Sequence, residues 1–215
     1  LSNYYNKVKI VLLEKGIPFT EEVQRTNSKD ETVLNATPLG KIPFIKVDGQ
    51  TLCESQVIVD FLEARFPEHP LLPADPLAAA KVRELAAFME LYVELVGREL
   101  YAEAFFGGQV SDSTKERVKK TLARNLPALK RLARFEPYAA GSSFTVADAS
   151  AFATLPTVAN ATRAIYGEDL IAAAGIDWKP YVKMLGERAS LQRVNADRKR
   201  DTEAMAAAAA AKSSS

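Results

Sequence analysis

The 215-residue sequence predicts a two-part fold: an α/β N-terminal domain with a mixed sheet, then an all-α C-terminal helical domain. Three observations predict it. Two short strand-like runs flank Asp48-Gly49, a dipeptide that favours tight hairpins. The stretch "FPEHPLLPADP", Phe66 to Pro76, is too rich in proline to continue a helix and reads as a linker. Beyond it, apolar residues recur at helical spacing and no further hairpin signal occurs. The boundaries are 1–66 for the first domain, 67–77 for the linker and 78–215 for the second domain.

Each element has its own signal. Tyr5 to Lys15 carries Val8, Val11 and Leu12 at helical spacing, and Gly16 can end that helix in a left-handed conformation. "IPFTEEVQ", Ile17 to Gln24, reads as a short strand. The polar stretch from Arg25 to Thr37 reads as loop with one helical turn. "PFIKV", Pro43 to Val47, is a second strand, and "QTLC" returns antiparallel to it. Ser55 to Arg65 is amphipathic, with Val57, Ile58, Phe61 and Leu62 on its apolar side. A first helix in such an order ordinarily follows a strand. The reading expects that strand to be absent from this sequence, which leaves the sheet with a gap at a central position.

The second part holds four helical patterns. The first is long, from Leu77 to Phe105. The second starts at a Ser111-Asp112-Ser113 cap and runs toward Phe135, with a kink expected at Pro127. The third starts at "FTVADASAFATL" and the fourth is "WKPYVKMLGERA". In the third, Thr145 and Asp148 form a capping box, a folding element and not a site. The alanine-rich end is low-complexity and can extend a helix that then frays.

Composition narrows the function. A hydrophobic fraction of 47% against 26% charged residues suits a soluble globular chain with a sizeable core. The net charge of +1 argues against a nucleic-acid or membrane-surface partner. Cys53 is the single cysteine and His69 the single histidine, so no internal disulfide can form and a metal site is disfavoured. Cys53 reads as a structural residue and His69 as a surface one. No apolar run approaches roughly 18 residues and no signal-peptide pattern opens the chain, which leads us to expect a cytoplasmic protein.

Two features need an explanation beyond folding. Pro43 stands inside a strand, where it cannot donate to a ladder. It suits an edge strand. It also suits a cis Ile42-Pro43 bond that turns the preceding backbone out to pair with a peptide-like ligand. Glu54-Ser55 stands at a helix start. Ser55 suits an N-cap, and it equally suits a ligand carboxylate held at the helix N-terminus.

The stretch "TPLGKIPFIKVDGQTLCES" resembles the glutathione-binding signature of the glutathione transferase family, and the order of elements is similar over essentially the whole chain. The resemblance implies a thioredoxin-like first domain, a cytosolic bacterial-type enzyme, and glutathione as co-substrate with no metal. It implies that Pro43 is the family's cis-proline and that Ile42 presents its backbone to the cysteinyl part of glutathione. Glu54 would meet the γ-glutamyl ammonium, Ser55 its carboxylate, and Lys29 and Lys41 the glycyl carboxylate. The run "LSNYYNKVKIVLLEKGIPF" is similar to the family's first helix, and Ser2 matches the serine of serine-type classes. A donor there would lower the thiol pKa and raise the thiolate fraction. Asn3 departs from the family's proline. Tyr4 stands where other classes carry cysteine, which argues against a mixed-disulfide mechanism. A tyrosine-type class places its tyrosine on the preceding strand, and that option stays open.

The resemblance also implies a homodimer and an apolar electrophile pocket to which Tyr4, Tyr92, Tyr101 and Phe105 would contribute. For the aromatics of the long helix, core or dimer packing is the simpler reading. Three functions follow: a transferase that conjugates glutathione to an apolar electrophile; a glutathione-dependent isomerase, dehalogenase or peroxidase; or a non-enzymatic binding or regulatory protein of the same fold.

Overall fold

The computed structural model describes residues 2–24 and 26–213, and by contact the chain divides into two compact units. The first holds residues up to Pro70 together with those from Gly186 onward, and the second spans Leu71–Leu185.

In the first unit, α1 (Asn3–Glu14) starts at Ser2 and ends at Lys15, with Gly16 at φ 66° in the left-handed region. Helix α2 (Glu31–Ala36) is the single helical turn expected in the loop, capped by the Asp30 side chain. Strands β1 (Phe44–Val47) and β2 (Gln50–Cys53) pair antiparallel from Phe44–Cys53 to Val47–Gln50. Asp48 and Gly49 both take positive φ between them, as a primed turn requires. Helix α3 (Ser55–Arg65) follows directly.

The strand expected over Ile17–Gln24 does not form. Among the described residues the sheet is the β1–β2 pair. A strand needs a neighbour to take its backbone hydrogen bonds. Here residues 17–24 and β1 instead line a common cavity of about 870 Å³, closed on its helical side by Val8, Leu12, Phe61 and Leu62.

Helix α1 is the axis of this unit. It packs on α3 and on the last helix of the chain, α11, and Val8, Ile10, Val11 and Leu12 are buried. Its charged side chains turn inward too, and each has a partner. Lys7 donates to Gln56 at 2.7 Å. Lys15 pairs with Glu63 at 2.8 Å and donates to the His69 carbonyl. Lys9 pairs with Glu21 and with Asp197. Glu14 accepts from Arg188 at 2.9 and 2.6 Å and from the Ser190 hydroxyl. His69 itself is exposed, as expected.

In the second unit, α4 (Pro76–Phe88) continues through a π-helical segment (Met89–Glu94), α5 (Leu95–Gly97), a 3₁₀ turn (Arg98–Leu100) and α6 (Tyr101–Phe106). The long helix expected from Leu77 is therefore one run with a widened turn. Within that turn Glu94 is fully buried and pairs with Arg98 at 2.8 Å. Helix α7 (Asp112–Leu132) starts at Ser111 as expected and carries Pro127 inside it. Helix α8 (Val146–Tyr166) is buried on nearly every face, as the central helix of a bundle must be. Helices α9 (Leu170–Ala173) and α10 (Trp178–Leu185) pack on α8. Helix α11 (Ala189–Ser213) closes the chain and belongs by contact to the first unit.

The capping box at Thr145 is present. Asp148 is fully buried and accepts from Thr145 N–H at 2.8 Å, Ala139 N–H at 2.7 Å and the Tyr181 hydroxyl at 2.6 Å. Burial pushes its carboxyl up, and these hydrogen bonds pull against that rise. Asp148→Ala leaves buried donors without an acceptor, so urea unfolding should show a loss of about 3 kcal/mol or more.

Burial alone would raise the Glu14 carboxyl, but hydrogen bonds from Arg188 and Ser190 and the Arg188 charge outweigh it and hold it below its ordinary value of 4.5. A carboxylate depressed in the folded state stabilises above its unfolded pKa and loses that contribution as pH falls through the folded value. Glu14→Gln should therefore lower stability at neutral pH by about 1 to 3 kcal/mol. It should also flatten the decline of stability below pH 4.5, measured by thermal unfolding across pH.

Candidate functional site

The hairpin register builds one half of the site. Phe44 pairs with Cys53, so Ile42-Pro43 and Glu54-Ser55 lie at the same end of the β1–β2 pair. The Ile42-Pro43 bond is cis, as the resemblance implies. Ile42 makes no backbone hydrogen bond among the described residues, and its burial is intermediate. Its N–H and C=O are thus available to a peptide laid alongside.

The start of α3 corrects the sequence reading. Glu54, not Ser55, is the N-cap, and Ser55 is the first helical residue. The ladder ends at Cys53, so the turn from strand into helix falls on a single residue. Glu54 absorbs it with φ 68° and ψ 112°, a conformation that disfavours residues other than glycine. Its side chain makes no cap hydrogen bond and is exposed without an ion pair among the described residues. Ser55 is buried, and its hydroxyl makes no hydrogen bond among the described residues. The start of α3 thus offers uncapped N–H groups and a serine hydroxyl together, an arrangement suited to a carboxylate.

The loops carrying the two lysines are tied together. Asn27 N–H donates to the Gly40 carbonyl at 2.7 Å. Gly40 has φ 60°, and a Cβ built there would stand 2.5 Å from the Ser28 carbonyl oxygen. Only glycine fits that approach. Lys29 and Lys41, each next to this tie, are exposed and form no ion pair among the described residues.

Ser2 builds the other half. It caps α1 in an extended conformation, and its Oγ accepts the Tyr5 N–H at 3.4 Å. Because the hydroxyl oxygen accepts from the backbone, its proton is free to donate elsewhere. Ser2 lines the same cavity as Ile42 and Pro43. Lys9 Nζ donates to the Tyr5 hydroxyl at 3.3 Å. Burial raises the Tyr5 phenol despite that lysine. Burial would lower Lys9, but hydrogen bonds to Asp197, Glu21 and Tyr5 keep it raised and charged.

The remaining candidates stand apart from this arrangement. Tyr4 lies in the first turn of α1 and does not line the cavity. Tyr92, its ring tilted against Phe88 with centroids 4.9 Å apart, is half-exposed in the second unit. Tyr101 and Phe105 pack on each other at 5.2 Å along α6. Cys53, in β2, is a free thiol of intermediate burial. The sequence reading missed Lys7, Lys9 and Gln56, which fix α1 against its neighbours around the site. A signal existed: α1 has apolar residues at 8 and at 10 through 13, too many for one face, so its lysines had to enter the interior.

An antiparallel hairpin with a cis-proline, two helix N-termini at its rim and a separate helical unit define the class: an α/β domain with an edge open to a peptide-like ligand, followed by a helical one. The comparisons agree. Residues 1–70 match the family model described as Glutathione S-transferase, N-terminal domain. A Glutathione S-transferase from Pseudomonas putida is 40% identical over 199 residues, covering 92% of this chain and 89% of its own length. A Probable maleylacetoacetate isomerase from Caenorhabditis elegans is 29% identical over 158 residues, covering 67% of this chain and 69% of its own length. The crystal structure of glutathione transferase Omega 3C from Trametes versicolor superposes with a TM-score of 0.72 at 26% identity, covering 89% of this chain and 84% of that one. The chain belongs to the glutathione S-transferase family and is an enzyme of it.

Gly40→Ala tests the loop tie. It should cost about 1 to 3 kcal/mol in urea unfolding, because the new Cβ meets backbone at a positive φ.

Proposed function

We propose that the protein conjugates the thiolate of glutathione to an apolar electrophilic small molecule. The observation that carries this reading is the register that sets the unpaired Ile42 backbone beside Glu54 and Ser55 at the start of α3. Glutathione pairs its cysteinyl backbone with Ile42, its γ-glutamyl carboxylate with Ser55 and the α3 N-terminus, and its ammonium with Glu54. Its glycyl carboxylate meets Lys41 and Lys29. The thiol then lies toward Ser2, whose hydroxyl donates to sulfur while Tyr5 N–H holds its oxygen. The positive end of α1 adds to the same effect. A depressed thiol pKa raises the thiolate fraction, and a held electrophile turns attack into an effectively intramolecular step. The proton lost from sulfur passes to solvent.

In this reading Tyr92, Tyr101 and Phe105 are the apolar side chains of the second unit offered to the electrophile, and Tyr4 plays that part in the first. The division of labour follows the boundaries read from the sequence, glutathione binding over residues 1–66 and electrophile binding over 78–215, except that α11 packs with the first unit. The family habit makes the protein a cytoplasmic homodimer that acts in detoxification. Similarity to the isomerase favours a second reading, in which the thiolate adds to its substrate and is released again. A substrate panel separates the two: conjugation consumes glutathione and isomerisation regenerates it.

Calorimetric titration with glutathione tests the shared site. The wild type should bind in the micromolar-to-millimolar range, and Ser55→Ala should weaken binding by about 10-fold or more, the loss of one charge-assisted hydrogen bond. Equal affinities would remove Ser55 from the site, and no binding at millimolar glutathione would overturn both enzyme readings.

A further inference from the structure

Helices α1 and α3 are tied to each other at two places. Near their starts the Lys7 ammonium donates to Gln56 Oε1 at 2.7 Å, and near their ends Lys15 pairs with Glu63 at 2.8 Å. The two helices therefore run parallel, and the ends that carry Ser2 and Ser55 lie on the same side of the unit. Lys7 is only 1% exposed. An ammonium that deep is tolerated only where its hydrogen bonds are well made. Gln56 is held from both ends: Oε1 accepts from Lys7, and Nε2 donates to Asp60 Oδ1 at 3.3 Å, one turn on.

The way α3 begins gives this tie its purpose. A helix start leaves its first N–H groups without acceptors and is ordinarily fastened by a capping side chain. In the same unit α1 is capped by Ser2 and α2 by Asp30. Helix α3 has no such cap: Glu54 makes no side-chain bond to it and stands at φ 68°. Its first backbone bond runs from the Ile58 N–H to the Glu54 carbonyl at 2.9 Å. A start of this kind frays unless something else fastens it. Gln56 lies in that first turn, next to Ser55, and its side chain is tied across to α1. A capping side chain would fasten the turn by occupying its N–H groups. The tie fastens it from the side and leaves those groups and the Ser55 hydroxyl open. We propose that Lys7, acting through Gln56, is a positioning residue that stands in for the missing cap and pre-organises the carboxylate site at the start of α3. The proposal rests on the transferase reading, in which that site takes the γ-glutamyl carboxylate. A first turn already ordered when the ligand arrives binds it more tightly.

The second tie supplies the control, because Lys15 is as deeply buried and joins the same two helices at the end away from Ser2 and Ser55. Glutathione is titrated by calorimetry into the full chain as wild type, K7M, Q56A and K15M, at a temperature where each is folded. K7M and Q56A should bind about 5-fold or more weaker, the equivalent of one lost cap. K15M should bind as the wild type does, although it melts lower. In the unliganded protein the Ile58 amide should exchange faster in K7M and Q56A and at the wild-type rate in K15M, because fraying of the turn is local. Once saturated with glutathione, K7M should give the wild-type thiolate titration, because Ser2 and its cap on α1 are untouched. If K7M does not fold, Q56A carries the comparison with every charge in place. Wild-type affinity in a folded K7M or in Q56A overturns the assignment. So does an equal loss in K15M, which would make the tie a matter of general packing, or a displaced thiol titration in K7M, which would put its effect on α1. Failure of the wild type to bind glutathione at all overturns the transferase reading itself, while the Ile58 exchange tests the tie without any ligand.

Discussion

The arrangement depends on burying the polar side chains of α1. Lys7, Lys9, Glu14 and Lys15 lie on a helix enclosed by α3, by the extended residues 17–24 and by α11. Buried charges of this kind cost several kcal/mol each when left alone, so every one must find its partner for the helix to sit down. The partners come from every neighbouring segment: Gln56 and Glu63 on α3, Glu21 in the extended stretch, Arg188 and Asp197 on α11. Meeting all of them at once allows α1 one position. That position sets the direction of its N-terminus, and with it Ser2, against the cavity wall.

The same economy governs the hairpin end. A four-residue ladder closed by Asp48-Gly49 fixes the register, and the register alone sets Ile42-Pro43 opposite Glu54-Ser55. The chain then enters α3 through one left-handed residue, Glu54, which leaves the helix start uncapped. Strain at Glu54 and the open N–H groups beyond it are unfavourable for the fold by itself, and both features are suited to a carboxylate that has yet to arrive. Gly40 serves the loop on the other side in a related way, because its missing Cβ lets the segment before Lys29 close on the segment before Lys41.

Local chemistry was legible in the sequence. The Thr145–Asp148 capping box, the Asp48-Gly49 turn, the Gly16 stop and the proline-led hairpin each depend on a few adjacent residues. Long-range pairing was not. Nothing near Lys9 announces that Asp197 will neutralise it across 188 positions, and nothing in "IPFTEEVQ" says that it will stay out of a ladder. The N-cap shifted from Ser55 to Glu54 because ladder length, a property of the paired strand, decided where the helix could begin.

The claim that ties the fold to its chemistry is that Ser2, held at the positive end of α1, activates the thiol of bound glutathione. Thiolate absorbance near 240 nm, followed against pH for the wild-type complex and for Ser2→Ala, tests it directly. The wild-type complex should titrate at least about one pH unit below the ordinary thiol value of about 8.5, and Ser2→Ala should move it back by about one unit while glutathione stays bound. An unshifted thiol in the wild-type complex, or an identical titration in Ser2→Ala, would contradict it.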